Sequence, residues 1–138
     1  MTTRFVDIET PYSGKTEEEL RLNLLYARAC VRDSLLQGEI PFASHLFFTQ
    51  PGILDDTNHQ EREKGIQAGK SLIEALQNII TVVYTDLGIS DGMEYGINRA
   101  EEQGRRVEFR RLGPSWERKA LEISRQHSHA VLWRFNHF

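Results

Sequence analysis

The segment IITVVYTD, residues 79–86, constrains the fold of this chain more than any other stretch. Its first six residues are all β-branched or aromatic, and none of them is charged. A continuous run of this kind is typical of a strand in a parallel sheet whose two faces are both covered by helices. The segment therefore predicts the central strand of an α/β domain.

Predicted strands and helices alternate along the rest of the chain. The strand patterns occupy residues 4–10, 40–48, 79–86 and 106–112. The spacing of apolar residues predicts helices at 17–37, 60–77, 92–103 and 115–126. The last ten residues, HAVLWRFNHF, are interpreted as a short strand or a packing tail. Alternation of this kind implies right-handed crossovers and a mostly parallel sheet. We therefore predict one small doubly wound, Rossmann-like α/β domain over 1–138, in which 113–138 form a C-terminal helix and tail.

Composition narrows the choice of compartment and partner. The chain has 138 residues, 27% of them charged, and a net charge of −3, which argues against general affinity for nucleic acid. Its lone cysteine, Cys30, cannot form an internal disulfide and is expected in the core. The N-terminus lacks the apolar core of a signal peptide, and no apolar run approaches the ~20 residues of a membrane span. We expect a cytoplasmic protein with no nucleic-acid or membrane partner.

In a doubly wound sheet, ligands bind beyond the carboxyl ends of the strands, beside helix N-termini. That rule selects three loops in this chain: ETPYSG (9–14), SHLFFTQPG (44–52) and TDLGISDG (85–92). The loops match neither a phosphate-binding Walker loop nor a dinucleotide fingerprint, and the histidines and acidic residues show no metal-ligand spacing. We expect a small-molecule site at this edge, with no cofactor and no metal.

Glu94 is the first candidate for chemistry at that edge. The pattern D-x-x-E from Asp91 to Glu94 is typical of an N-terminal helix cap, in which the glutamate bonds back to the backbone. Alternatively, a carboxylate in the first helical turn is favoured in its ionised form by the helix dipole and can act as a nucleophile. Asp86, at the end of the central strand, is either a turn former or a second acid in the cleft.

The other candidates are expected to bind ligand. Ser90, with Gly88 and Gly92, either caps the helix or binds a phosphate or hydroxyl through free backbone N–H groups. Tyr12, Ser13 and Gly14 form either a simple connection or one side of a sugar site. His45 is either a hydrogen-bonded structural residue or a group that binds a base or phosphate or carries a proton.

These loops resemble those of the nucleoside 2-deoxyribosyltransferase superfamily, including its small nucleotide N-glycoside hydrolases. The resemblance rests on ETPYSG after the first strand, ASH at the second, and VVYTDLGISDGMEYGINRA from the third strand into a helix. The chain looks closer still to an uncharacterised phage-type domain group near that superfamily. The resemblance covers about residues 4–112.

The resemblance implies a role for each candidate. It places the nucleophilic carboxylate on Glu94, a phosphate or 5′-hydroxyl contact on Ser90, the sugar site around Tyr12, Ser13 and Gly14, and a pocket histidine on His45. Asp86 matches the acidic residue that ends the third strand, and we take it with His45 as a candidate to protonate the departing base. The family usually has more residues between its glycine and its glutamate than SDGME supplies, which places its carboxylate about half a turn away from Glu94.

The resemblance thus implies cleavage of a nucleoside or nucleotide N-glycosidic bond, or deoxyribosyl transfer, through a carboxylate nucleophile. Two alternatives are a protein that sequesters a nucleotide or signalling metabolite without turnover, and a scaffold with a vestigial pocket. Related folds often complete the pocket from a neighbouring subunit, so a homodimer or larger homo-oligomer is expected. Trp133, Phe135 and Phe138 are candidate contacts, because they would otherwise be an exposed apolar patch.

Overall fold

The computed structural model describes the backbone of residues 3–137 and the side chains of residues 3–128. Strands and helices alternate along this part of the chain, in agreement with the prediction. In chain order the elements are β1 (Phe5–Glu9), α1 (Glu17–Leu36), β2 (Ile40–Phe42), α2 (Ser44–Phe48), α3 (His59–Ala75), β3 (Ile80–Tyr84), α4 (Asp91–Glu102), β4 (Val107–Arg110) and α5 (Trp116–His137).

The strands form one parallel sheet in the order β2-β1-β3-β4. Residues 81–84 of β3 are completely buried, as the apolar run in the sequence predicts. The chain leaves β1 towards β2 on one side and then crosses over to place β3 on the other side of β1. This reversal puts a topological switch point between β1 and β3, where doubly wound sheets open a crevice for ligands. The predicted α/β fold class is therefore confirmed.

The two faces of β1 differ sharply in chemistry. Val6 and Ile8 point to one face, where they are buried against α1 together with residues of β3. On the same side, Trp116 at the start of α5 packs edge-to-face on Tyr26 of α1, with ring centroids 4.8 Å apart. Because side chains alternate along a strand, Asp7 must point to the opposite face, where α4 packs on β3 and β4. The apolar core therefore lies on the α1 side of the sheet and the polar site on the other.

The prediction of one long second strand over 40–48 is wrong. The strand ends at Phe42, and Ser44–Phe48 form the short helix α2, so that His45 lies on a helix. The apolar residues that suggested a strand serve the helix instead: the rings of Phe47 and Phe48 pack on Phe42, with centroids 6.4 and 6.1 Å away. A short apolar run fits either type of element, and here the packing of three phenylalanines decides for the helix.

The C-terminal segment also differs from its prediction. Helix α5 runs from Trp116 to His137, so HAVLWRFNHF is neither a strand nor a separate tail over the residues described. The sequence from Trp116 to His137 contains no glycine or proline that would end a helix. The side chains of Trp133, Phe135 and Phe138, predicted as subunit contacts, lie outside the described residues. Within the described part of the chain, none of the helices combines the length and apolar character that a membrane crossing requires.

Candidate active site

A cavity of about 300 Å³ opens at the carboxyl end of β1. Its walls come from β1 and the loop that follows it, from α2 and α3, and from the N-terminal half of α4. The volume lies at the lower end of the range for small-molecule sites, about 300–1,000 Å³. The cavity therefore occupies the place that the topology of the sheet predicts, and its size suits one small ligand.

Two carboxyl groups, those of Asp7 and Glu9, lie side by side at the sheet end of the cavity. They stand two residues apart on β1, so both point to the same face of the sheet. Thr81 donates a hydrogen bond to Oδ2 of Asp7 at 3.5 Å, and Arg105 lies 3.8 Å from the same oxygen. Within the described residues the Glu9 carboxyl has no hydrogen-bond partner. Glu9 therefore presents a polar group that is available to a ligand.

Burial makes ionisation of this pair unfavourable. Loss of water raises the pKa of Asp7 from 3.8 to about 6, although the Arg105 guanidinium opposes the shift. Burial also raises the pKa of Glu9 well above its ordinary value of 4.5, and repulsion from Asp7 raises it further. Since Arg105 lies beside Asp7, Asp7 is the member of the pair that ionises more readily, and Glu9 holds its proton more tightly. One carboxylate and one carboxylic acid in a single cleft are the arrangement that acid–base chemistry requires.

Gly96 of α4 lies directly against the Glu9 carboxyl. A Cβ atom placed on Gly96 would stand 2.3 Å from Glu9 Oε1 and 2.6 Å from its Cδ. These distances are far shorter than any real contact, so only a glycine at this position leaves room for the carboxyl. Helix α4 therefore contacts the end of β1 through the Glu9 side chain.

His45 of α2 also lines the cavity, and its Nε2 is 3.0 Å from Thr10 Oγ1. The ring of Tyr12 packs edge-to-face on the imidazole, with centroids 5.3 Å apart. Burial lowers the pKa of His45 to about 4, so the ring is neutral at physiological pH. His45 thus belongs to the cavity as predicted, but as a neutral hydrogen-bonding group.

The N-terminus of α4 borders the cavity through Ser90 and Gly92. Ser90 is the N-cap, and its Oγ accepts a hydrogen bond from the N–H of Met93 at 3.3 Å. The D-x-x-E pattern suggested Asp91 as the cap, but Asp91 is already the first residue of the helix. Five predicted binding residues therefore meet at one cavity: Tyr12, Ser13, His45, Ser90 and Gly92.

Glu94 does not reach this cavity. It is exposed on α4, and successive residues of a helix are rotated by about 100°, so Glu94 points about 200° away from Gly96. The expectation that Glu94 faces a bound sugar is therefore wrong in this structure. Its neighbours Met93 and Gly96 face the sheet and the cavity instead.

Asp86 also lies outside the cavity, where it fastens the loop that follows β4. Its Oδ1 accepts hydrogen bonds from the Tyr26 hydroxyl at 2.6 Å and from the N–H of Leu112 at 2.8 Å. Its Oδ2 accepts from the N–H of Gly113 at 3.0 Å. These donors hold the carboxylate on the α1 side of the sheet, and together they lower its pKa against the opposing effect of burial. The predicted catalytic placement of Asp86 is therefore wrong, and its contacts are those of a structural residue.

Two predicted glycines have structural roles as well. Gly88 has a φ of +85° in the turn after β3, a conformation that other residues rarely adopt. Gly14 lies against the first turn of α1, where an added Cβ would stand 2.7 Å from Glu19 Cβ. Neither glycine lines the cavity. Both therefore shape the loops that border the site without contacting a ligand there.

The cations around the cavity already have partners. Arg62 lies 4.0 Å from Asp56, and Arg99 pairs with Glu74. Lys70 donates a hydrogen bond to the Tyr95 hydroxyl at 3.0 Å. Since Arg105 faces Asp7, the lining carries both signs of charge. In the described part of the chain, no group of three or more His, Cys, Asp or Glu side chains comes together that would hold a metal ion.

Sequence reasoning missed the acid pair, although a signal for it was present. In FVDIE, the apolar Phe5, Val6 and Ile8 share a strand with acids at positions 7 and 9. Two acids spaced i, i+2 on an inner strand of a sheet covered on both faces must be buried together. Burying two acids together costs free energy, which is a reason to suspect a functional site. Gly96 gave no comparable signal, because its role depends on a contact with a residue 87 positions earlier.

The fold and the cavity together define a class of protein: a small doubly wound α/β domain with a buried carboxyl pair in a ligand-sized cavity at the switch point of its sheet. The chain belongs to the family described as Domain of unknown function (DUF7768), whose family model matches residues 4–110. All the cavity residues discussed above lie within that range. No curated protein and no solved structure matches the chain.

Proposed function

We propose that this domain binds a nucleoside or nucleotide in the cavity and cleaves its N-glycosidic bond, either by hydrolysis or by transfer of the deoxyribosyl group to another base. The observation that carries the proposal is the Asp7–Glu9 pair, which places two buried carboxyls with raised pKa values in one ligand-sized space. The resemblance of the loops to nucleoside 2-deoxyribosyltransferases supplies the class of substrate. In this proposal the reacting carboxyls are those of Asp7 and Glu9 on β1, and not that of Glu94.

The chemistry of the bond requires both forms of carboxyl. When the bond between the sugar and the base breaks, its electron pair goes to the base nitrogen and positive charge develops on the sugar ring. The protonated Glu9 donates its proton to the departing base, which makes the base a better leaving group. Ionised Asp7 stabilises the charge on the sugar or bonds to the anomeric carbon. Water or a second base then takes the sugar and returns a proton to Glu9.

The proposal also gives roles to the cavity walls. Tyr12, Ser13 and Ser90 offer hydroxyl groups at the rim, and neutral His45 offers a ring nitrogen. Such groups suit the hydroxyls of a sugar and the edge of a base, which are neutral donors and acceptors. Arg105 and Thr81 hold Asp7 in place from behind and act as positioning residues.

The direct test is to incubate the protein with a panel of nucleosides and 5′-monophosphates and to follow free base by chromatography. Glu9→Gln keeps the shape of the side chain but removes the acid, so we expect base release to fall at least a hundredfold, in the range typical of a lost general acid (~10²–10⁴). Glu94→Gln should retain activity. Glu101→Gln, an exposed carboxyl on the same helix, is the matched control. Full activity in Glu9→Gln would refute the assignment.

A second candidate function is the binding of a nucleotide or signalling metabolite without turnover. The position of Glu94 favours it, because the carboxylate that the resemblance makes the nucleophile is exposed and faces away from the cavity. This candidate predicts that a ligand from the same panel raises the melting temperature, since it binds only the folded state, and is recovered intact. Steady release of base would exclude it.

A further inference from the structure

Gly96 has no backbone reason to be glycine. It lies within α4, five residues after the first residue of the helix and six before the last, and it is not among the glycines with positive φ. A glycine inside a helix lowers helix stability relative to alanine, because it loses more conformational freedom on folding. Glycine at this position therefore serves to leave space beside the helix for another group.

The Glu9 carboxyl fills that space. A Cβ on residue 96 would stand 2.3 Å from Oε1, 2.6 Å from Cδ and 3.0 Å from Oε2 of Glu9, and no other group lies among its three nearest atoms. A carboxyl brought in from β1 and a side chain carried by α4 at this position would therefore compete for the same volume. That volume holds only one of them at a time.

We propose that Glu9 and Gly96 form one functional unit, in which α4 provides the space and β1 provides the carboxyl that the cavity presents to its ligand. The Cβ of a side chain on residue 96 would stand where the Glu9 carboxyl now lies, so an acid carried by α4 at this position would enter the same cavity. This inference rests on the proposed function for its catalytic part. Its structural part, the dependence of the Glu9 carboxyl on a glycine at 96, stands independently of any activity.

The unit also explains the environment of the Glu9 carboxyl. Lodged between β1 and α4, it loses most of its water, and it faces Asp7 from its own strand and Arg105 from the segment before β4. The other titratable groups that line the cavity are Tyr12 and Asp56 in the loops, His45 on α2, Glu61, Arg62 and Lys70 on α3, and Tyr95 and Arg99 on α4. If the carboxyl is pushed out towards the opening of the cavity, water returns to it and its pKa falls.

The first experiment follows the Glu9 carboxyl by NMR titration in the wild type, Gly96→Ala and Gly92→Ala. Gly92 lies in the first turn of the same helix, and an added Cβ there meets only Ser90 Oγ at 4.0 Å, so it controls for helix propensity. We expect the Glu9 midpoint to move towards 4.5 in Gly96→Ala and to stay unchanged in Gly92→Ala. An unchanged midpoint in Gly96→Ala would overturn the inference.

A double-mutant cycle tests the same contact through stability. Gly96→Ala should raise the melting temperature of Glu9→Ala by more than it changes that of the wild type, because only the wild type must displace a carboxyl to make room for the new Cβ. Additive shifts would mean that the residues do not share the space, and would count against the inference even where both variants fold well. Neither this cycle nor the titration depends on turnover, so failure of the proposed function does not affect them.

The final variant exchanges the two side chains: Glu9→Ala together with Gly96→Glu. It returns a carboxyl to the cavity from α4, and we expect base release at least tenfold above that of Glu9→Ala alone. If the wild type releases no base, the proposed function fails, and the cycle and titration alone decide the inference. If the wild type is active and the exchange variant is no better than Glu9→Ala, the exchangeability of the two positions is refuted.

Discussion

Replacing Asp7 with asparagine should change how the stability of the domain depends on pH. Asp7 is only 14% exposed, and burial raises its pKa from 3.8 to about 6. Between pH 3.8 and about 6, Asp7 therefore carries a proton more often in the folded protein than in the unfolded chain. Stability is therefore lost as the pH rises through this window, since ionisation of the buried group is unfavourable. Asparagine does not ionise and suffers no such loss.

The size of the effect follows from the two pKa values. The difference between a pKa of 3.8 and one of about 6, at about 1.36 kcal/mol per pKa unit, corresponds to about 3 kcal/mol of stability lost on full ionisation of Asp7. About 2 kcal/mol of this loss falls between pH 4 and pH 7. The free energy of unfolding of Asp7→Asn, minus that of the wild type, should therefore rise by about 2 kcal/mol over this range and level off above pH 7. The attraction to Arg105 is already contained in the pKa of about 6, so it is not counted a second time.

Urea denaturation followed by circular dichroism at pH 4.0, 5.0, 6.0 and 7.0 measures this difference directly. The difference between variant and wild type is needed because His45, whose pKa is lowered, acts in the opposite direction over much of the same range. Glu101→Gln serves as the control for an exposed carboxyl. A difference for Asp7→Asn that is independent of pH would show that Asp7 ionises as freely in the folded protein as in the unfolded chain. The argument for a buried acid pair would then fail.

Two further predictions follow from the same geometry. Asp86→Ala should lower the free energy of unfolding by about 2–3 kcal/mol, because two backbone N–H groups and a tyrosine hydroxyl lose their common charged acceptor. Glu94→Ala, at an exposed position, should change it by no more than about 0.5 kcal/mol; equal losses in the two urea curves would contradict the structural role of Asp86. His45 should show no change in its ring NMR shifts between pH 5.5 and 8, because its pKa of about 4 keeps the ring neutral throughout. A midpoint near 6.5 for this histidine would mean that the ring is open to water.

The sequence predicted the parallel α/β fold because periodicity reports burial directly. The run at 79–86 identified the inner strand β3, and the apolar stripes located α1, α3 and α4 to within a few residues. The sequence prediction was wrong where the same pattern of apolar residues fits both a strand and a helix. The residues of α2 satisfy a strand pattern as well as a helix, and only the packing of Phe47 and Phe48 on Phe42 distinguishes them.

The sequence predicted which loops border the cavity but not which carboxyls line it. The rule for strand ends led to Tyr12, Ser13, His45, Ser90 and Gly92, all of which line the cavity. The two predicted catalytic acids were misplaced, for reasons that a linear pattern does not contain. Glu94 lies on the wrong side of its helix by about 200°, and the donors around Asp86 come from α1 and from the loop after β4.

The sequence by itself determined the layers of this protein, because alternating hydrophobic periods decide which residues leave water whatever their partners are. It also determined that the polar loops lie at one edge of the sheet, since parallel strands end together. The tertiary structure alone decided which carboxyl the cavity presents. That choice depends on residues 9 and 96, which lie 87 positions apart, meeting so closely that a Cβ on residue 96 would stand where the Glu9 carboxyl now lies. Contacts between distant segments are not encoded in any local pattern, so the residues of the site appear only once the chain is folded.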